Sequence, residues 1–421
     1  MSSATPTPAH TDFGTLWGHP RPLWMLFMAE FWERFAFYGI RWALTLYIVS
    51  EFYNGNASGE GDANRYYGAY LALVYATAIF GGYVADRVIG YQRSILLGAV
   101  VMSIGLFMIM VPHKEVFLLG LAVIVVGNGL FKPNISSLVG QLYAQGDDRR
   151  DRGFTIFYMG INIGGLVSPL ITGWLASQVF GTPQHDNYKV VFAAAGVGML
   201  LSTIWFFLGR KQLQGIGEAP TDKPAGKMLA YVIIGVILAV PVVYFLMAGL
   251  GAEILAWILG GLFIIVAAML LAEGKKTGTV QLHRVYALLI LFGFNVTFWM
   301  FFEQAGSSFN FLANNLVNRD FFGDGSYVVP TGWFQSINSA AIILFAPIIS
   351  YIWYVTSKMS MEPSIPRKFA FGLLGNALGF LVLMYALTNS VGTDGLIPMW
   401  PLVLCYVLQS VGELCLSPIG L

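Results

Sequence analysis

Seven ionisable residues fall within stretches of sequence that are otherwise apolar: Glu30, Glu33, Arg34 and Arg41 in a first, Lys132 in a second, Glu303 in a third and Glu413 in a last. A helix turns about 100° per residue, so the first four share one stripe about 100° wide. Glu30 and Arg34 are spaced i, i+4, and Phe37 and Tyr38 flank the stripe. Charge in an apolar phase costs at least about 2.5–3.5 kcal/mol, which makes such residues rare and usually functional. Three cations here face four carboxylates, so one carboxylate either carries a proton or awaits a cation. Two chemistries follow. Separated cationic and anionic walls suit a zwitterion, its carboxylate turned to arginine and lysine and its ammonium to glutamate. A carboxylate that can exchange a proton beside an arginine suits proton coupling. The alternative is a buried ion network that only holds helices together. Buried ion pairs are poor stabilisers because desolvation offsets their attraction, and seven such residues are hard to explain by stability.

The elements that must position these residues follow from composition. Of 421 residues, 57% are hydrophobic and 11% charged, and the mean hydropathy is +0.68. A soluble domain runs near about 25% charged, and a disordered chain is poor in the aromatics that make up 15% here. A net charge of +1 leaves no basic field for nucleic acid. Cys405 and Cys415 lie about 15 Å apart along a helix, too far to bridge. Lipid is therefore the solvent. Twelve apolar runs of about 20 residues lie at 24–50, 66–85, 94–111, 116–143, 154–180, 189–208, 229–249, 252–272, 285–313, 331–357, 369–388 and 398–421. With the N-terminus inside, sixteen of the 23 Lys and Arg fall in inner segments, and only Arg65, Lys114, Lys189 and Arg319 fall outside. That asymmetry supports the count and a cytoplasmic N-terminus. Met1–Asp12 is polar without the marks of a signal peptide. Gly209–Met228, rich in Gly, Pro and charge, reads as a flexible connector. The chain stops at Leu421 inside an apolar run, so a further C-terminal portion is expected.

At the charged stripe the sequence resembles the proton-dependent oligopeptide transporter family of the major facilitator superfamily. Glu30-Phe31-Trp32-Glu33-Arg34-Phe35-Ala36-Phe37-Tyr38-Gly39 is similar to the family's ExxERFxYYG motif, and Phe154 to Gly165 resembles its FYxxINxG signature. Gly82 to Gly90 with Arg93 resembles the superfamily's inner loop between helices 2 and 3. Phe298 to Ser308 and Gly412 to Pro418 resemble later family blocks. The resemblance implies an all-α polytopic membrane protein of the major facilitator fold, with two helical bundles and two inserted helices, 6+2+4 in the visible spans. It implies an N-terminal six-helix bundle at 1–208, a cytoplasmic linker with two inserted transmembrane helices at 209–282, and the first four helices of a C-terminal bundle at 283–421, with two more to follow.

The implied activity is proton-coupled import of di- and tripeptides by alternating access. Glu30, Glu33, Arg34, Lys132 and Glu303 would carry the proton coupling. Arg34, Arg41 and Lys132 would hold the peptide carboxylate, with Glu303 alternating its partnership with Arg41. Glu413 would take the ammonium, Asn162 and Asn338 the backbone amides, and Tyr38, Tyr75 and Trp299 the side chains. Asp86 and Arg87 would belong to a gate. Phe37 departs from the family's tyrosine pair and removes a hydroxyl near the carboxylate end. Other readings stay open: Tyr70 rivals Tyr75, Trp299 could be packing, and Asn162 lies between Gly160 and Gly164, a pair that lets helices approach closely. The expected partners are peptide, protons and the lipid bilayer of a bacterial inner membrane, with no nucleic acid, and the chain is expected to act as a monomer. A carrier of nitrate or another small organic anion on the same scaffold is the alternative, which Glu413 disfavours. No cofactor, metal site or enzyme is expected: His10, His19, His113, His185 and His283 form no ligand-spaced pair.

Overall fold

The computed structural model describes residues 13–182, 185–219 and 224–416. The polar tail Met1–Asp12, Lys223 of the connector, Ser417 and Pro418 of the last motif, and Leu421 lie outside the described residues. Thirteen helices of eight residues or more run along the described chain. They are α1 (Arg21–Phe52), α2 (Glu60–Val84), α3 (Tyr91–Met108), α4 (Lys114–Gln141), α5 (Arg149–Trp174), α6 (Tyr188–Gly209) and α7 (Ala225–Tyr244). After them come α8 (Gly251–Thr277), α9 (Thr279–Phe302), α10 (Ser308–Asn315), α11 (Trp333–Lys358), α12 (Ile365–Asn389) and α13 (Trp400–Leu416). Among the described residues, ten helical segments are long and apolar enough to cross a membrane. The other two expected spans are α1, whose interior carries Glu30, Glu33, Arg34 and Arg41, and α13, with 17 described residues. The chain is a polytopic, nearly all-helical membrane protein.

Three local features differ from the sequence reading. The span expected at 285–313 is two helices, because α9 gives way to a 3-10 turn at Glu303–Gly306 before α10. After the polar tail the chain forms a hairpin, Thr15–Leu16 against His19–Pro20, turning at Trp17 and Gly18 with φ of 52° and 80°. Trp17 holds that left-handed conformation with its ring edge-on to Trp24 at 4.8 Å, and Trp24 Nε1 donates to Leu16 O at 3.0 Å. His19 Nδ1 pairs with Tyr143 Oη at 2.9 Å, and burial, with Arg152 and Arg149 nearby, lowers the pKa of this imidazole. Finally, the first half of the connector is pinned rather than loose. Gln92 N donates to Gly217 O at 3.0 Å, and Gln92 Nε2 donates to Ile216 O at 2.7 Å.

The chain divides into two compact units. The first comprises the described residues of Met1–Phe37, Tyr70–Gly164 and Phe192–Phe245. Here α3 and α4 meet through glycines: a Cβ on Gly98 would lie 2.6 Å from Gly127 O, and one on Gly105 would lie 2.7 Å from Gly120 O. Small residues of this kind let helices pack closely where water offers no hydrophobic drive. Pro133 inside α4 cannot donate to Gly129 O, and that carbonyl abuts Gly81 of α2, whose Cβ would sit 1.7 Å from it. Asn134 Nδ2 closes the gap, donating to Gly81 O at 3.1 Å and to Leu130 O at 2.7 Å. The freed backbone is thus buried in protein, as lipid requires.

The second unit comprises the described residues of Tyr38–Ala69, Gly165–Val191 and Leu246–Leu421. Its core joins Ala305, Phe309 and Ala313 to Phe334, Leu383, Ala386, Leu402, Cys405 and Tyr406. Helices α12 and α13 approach through Gly375, whose Cβ would lie 2.8 Å from Leu408 O. The most apolar windows of the chain belong to α7 and α8, only 11% and 6% buried. Helices apolar on every face and covered on almost none need lipid around them.

Candidate functional site

In the first unit the charged stripe of α1 is an ion cluster sealed from solvent. Arg34 Nε lies 3.0 Å from Glu30 Oε1, and Arg34 also pairs with Glu33. The two glutamates are 2% and 0% exposed, and Arg34 is 4% exposed. Asn128 of α4 donates from Nδ2 to Glu33 Oε1 at 3.2 Å. The guanidinium of Arg34 stands over the Phe37 ring, 5.2 Å from its centroid. The position that lacks the family hydroxyl therefore meets the arginine with a π-face, a contact that desolvation strengthens. Gly164 of α5 allows the close approach needed here: a Cβ on it would lie 2.8 Å from Phe31 O and 3.0 Å from Arg34 Cβ.

Lys132 of α4 has its Nζ 4.4 Å from the Tyr75 ring centroid. Tyr75 is 53% exposed, whereas Tyr70 is 2% exposed and belongs to the core. Asn162 is buried, and its Nδ2 donates to Tyr158 O of its own helix at 3.0 Å. Asp86 and Arg87 lie exposed on a π-helical turn at the end of α2, and Asp86 accepts a hydrogen bond from Tyr91.

In the second unit the break after α9 brings a carboxylate to an arginine. Arg41 Nη2 donates to Glu303 Oε2 at 2.8 Å, and the same guanidinium donates from Nε to Tyr67 Oη at 3.2 Å. The ring of Tyr38 lies 5.9 Å from it. Only glycine fits beside this group, because a Cβ on Gly306 would lie 1.9 Å from Tyr67 Oη. On α13, Glu413 is 8% exposed and accepts from Asn338 Nδ2 at 3.0 Å. Asn338 also donates to Ser410 Oγ at 2.9 Å. Among the described residues no cation lies within 4 Å of Glu413. Trp299 packs edge-on against Phe298 and Phe302, with centroids at 5.5 and 5.1 Å.

Tyr67, Asn128 and Ser410 contact candidate residues without being anticipated. Asn128 carried a signal, since an amide in the apolar run Val125–Phe131 is costly unless bonded. Tyr67 and Ser410 carried none, because tyrosine and serine are common in spans.

Comparison with known proteins places the chain among transporters. The sequence profile of the POT family matches residues 92–421. The chain is 38% identical to the "Uncharacterized transporter YclF" of Bacillus subtilis (strain 168), over 96% of this chain and 81% of that one. It is 35% identical to the "Peptide transporter YePEPT" of Yersinia enterocolitica, over 100% of this chain and 84% of the relative. Its fold superposes on the crystal structure of a peptide transporter POT in complex with sulfate, with a TM-score of 0.82 at 34% identity, over 98% of this chain and 83% of that one. This setting removes an intramembrane enzyme from consideration. On sequence and fold alike, the chain belongs to the POT family of membrane transporters.

Proposed function

We propose that this protein imports di- and tripeptides by proton-coupled alternating access, acting as a monomer in a bacterial inner membrane with its N-terminus in the cytoplasm. Peptide transport is the activity named for its relative in Yersinia and for the sulfate-bound neighbour. The observation that carries the finer reading is the contrast between two carboxylates of the second unit, Glu303, which is partly exposed, and Glu413, which is buried. Glu303 is held by Arg41 at 2.8 Å, whereas the polar partner of Glu413 is the neutral Asn338. In the proposed cycle Glu303 binds a proton from the outside and releases Arg41 to the peptide carboxylate, while Glu413 takes the ammonium. Loss of the proton to the cytoplasm lets Glu303 reclaim Arg41 and expel the carboxylate. Arg34 and Lys132 share the carboxylate, Glu30 and Glu33 form the coupling network with them, and Asn162 and Asn338 bind backbone amides. Tyr38, Tyr75 and Trp299 line side-chain pockets, and Asp86 and Arg87 serve the gate. The domain division at residues 208 and 282 belongs to the same reading, with α7 and α8 as an insertion between two bundles.

The driving force is sufficient. Each proton moving through 100 mV supplies about 2.3 kcal/mol, a concentration ratio of roughly fifty. Glu303→Gln keeps the shape and removes the exchangeable proton. The variant is expected to lose proton-driven accumulation of dialanine in proteoliposomes while retaining counterflow exchange. Unaltered accumulation refutes the role of Glu303.

A further inference from the structure

Beside the Arg41–Glu303 pair lies a second polar cluster that no sequence motif marks. Gln335 of α11 and Asn310 of α10 are 5% and 2% exposed. The 3-10 turn at Glu303–Gly306, followed by Ser307 at φ −131° and ψ −96°, interrupts the α-helical ladder. Interrupted backbone at membrane depth needs donors from its surroundings. Gln335 Nε2 supplies one to Ala305 O, and the same nitrogen lies 3.1 Å from Asn310 Oδ1 and 3.3 Å from Tyr406 Oη. Asn310 Nδ2 donates to Gly306 O at 3.0 Å and reaches Thr45 Oγ1 at 3.4 Å. Thr45 stands one turn beyond Arg41 on α1. A single buried node therefore grips both members of the ion pair: the turn that carries Glu303, through two carbonyls, and the helix that carries Arg41, through a hydroxyl.

We propose that Gln335 and Asn310 are positioning residues for proton coupling: they hold the Glu303 turn within reach of Arg41 and so set the pH at which the pair parts. The inference rests on the reading of Glu303 as proton carrier. The titratable groups around the pair are Tyr38 on α1, Tyr67 on α2, and Tyr406 and Glu413 on α13. Gln335 and Asn310 each give a donor to the broken turn. A looser turn weakens the hold of Arg41 on the carboxylate, so protonation needs less acid.

Gln335→Met keeps the length of the side chain and removes the donor. In proteoliposomes the pH of half-maximal dialanine uptake is expected to rise by about one unit, a tenfold change in proton affinity, while counterflow at fixed pH stays within about twofold of wild type. Thr45→Val, a milder change at the other end of the node, is expected to move the profile the same way by less. If Gln335→Met does not fold, Thr45→Val decides alone. Unshifted profiles in the variants that fold, with uptake scaled equally at every pH, describe a merely structural role and overturn the inference. Glu303→Gln, measured in parallel, separates the two claims. If it retains accumulation, the proton-carrier reading has failed; if it loses accumulation while the profiles stay unshifted, only the positioning role has failed.

Discussion

Glu413 illustrates how much one side chain can be asked to do. It is a buried carboxylate whose polar partner is the neutral Asn338, and the proposed peptide ammonium completes it. Removing one partner of a desolvated charge pair costs about 2–5 kcal/mol. Glu413→Gln, which still accepts from Asn338, is therefore expected to weaken dialanine by roughly thirtyfold or more. An N-acetylated dipeptide, with no ammonium to lose, is expected to change little. Competition uptake with both compounds measures the difference, and equal losses for the two remove Glu413 from the ammonium site. At this scale much was legible. Ionisable residues in apolar runs announce themselves by their cost, and helical spacing placed Glu30, Glu33 and Arg34 on one stripe, where the structure joins them. Phe37 was legible as a flank of that stripe and as a lost hydroxyl, but a sequence gives no sign that the ring lies beneath Arg34. Tyr67 was invisible for a similar reason: its value comes from Arg41 and Gly306, which are far from it in sequence.

The elements show a sharper limit. Pro133 in a span foretells a freed carbonyl, but not the partner that shelters it, since Gly81 belongs to another helix. That pairing makes a clean prediction. A Cβ at position 81 would meet backbone at 1.7 Å, whereas a Cβ at Gly82 has open space. Backbone cannot step aside as a flexible side chain can, and overpacking costs about 1–3 kcal/mol or more. Gly81→Ala is expected to lower the thermal midpoint of the purified protein by several degrees, roughly 2–4 °C per kcal/mol at this size or less, with Gly82→Ala unchanged. Equal midpoints would show that α2 and α4 do not meet there. The break between α9 and α10 escaped the sequence reading because Glu303-Gln304-Ala305-Gly306 contains no proline, and one glycine in a span is ordinary. The hairpin at Thr15–Pro20 escaped because its turn places a tryptophan, Trp17, where glycine or asparagine is usual.

For the whole molecule, composition alone identified the solvent, and the bias of Lys and Arg toward alternate loops set a topology that the account adopts. Hydropathy located twelve apolar runs, and among the described residues ten helical segments are long and apolar enough to cross a membrane. The first of those runs, α1, carries Glu30, Glu33, Arg34 and Arg41 in its interior, residues that are costly in lipid. What composition and hydropathy could not supply is the cargo, because an inward-driven anion and an inward-driven zwitterion call for the same arginines. Glu413, in its proposed ammonium role, would separate them, and transport measures it. Proteoliposomes containing the protein, with an acid exterior and an alkaline interior, are expected to accumulate radiolabelled dialanine above its external concentration. The account predicts that a protonophore collapses this accumulation, and that excess unlabelled dialanine competes while nitrate does not. Dialanine that only equilibrates, or nitrate that competes as well as dialanine, contradicts it.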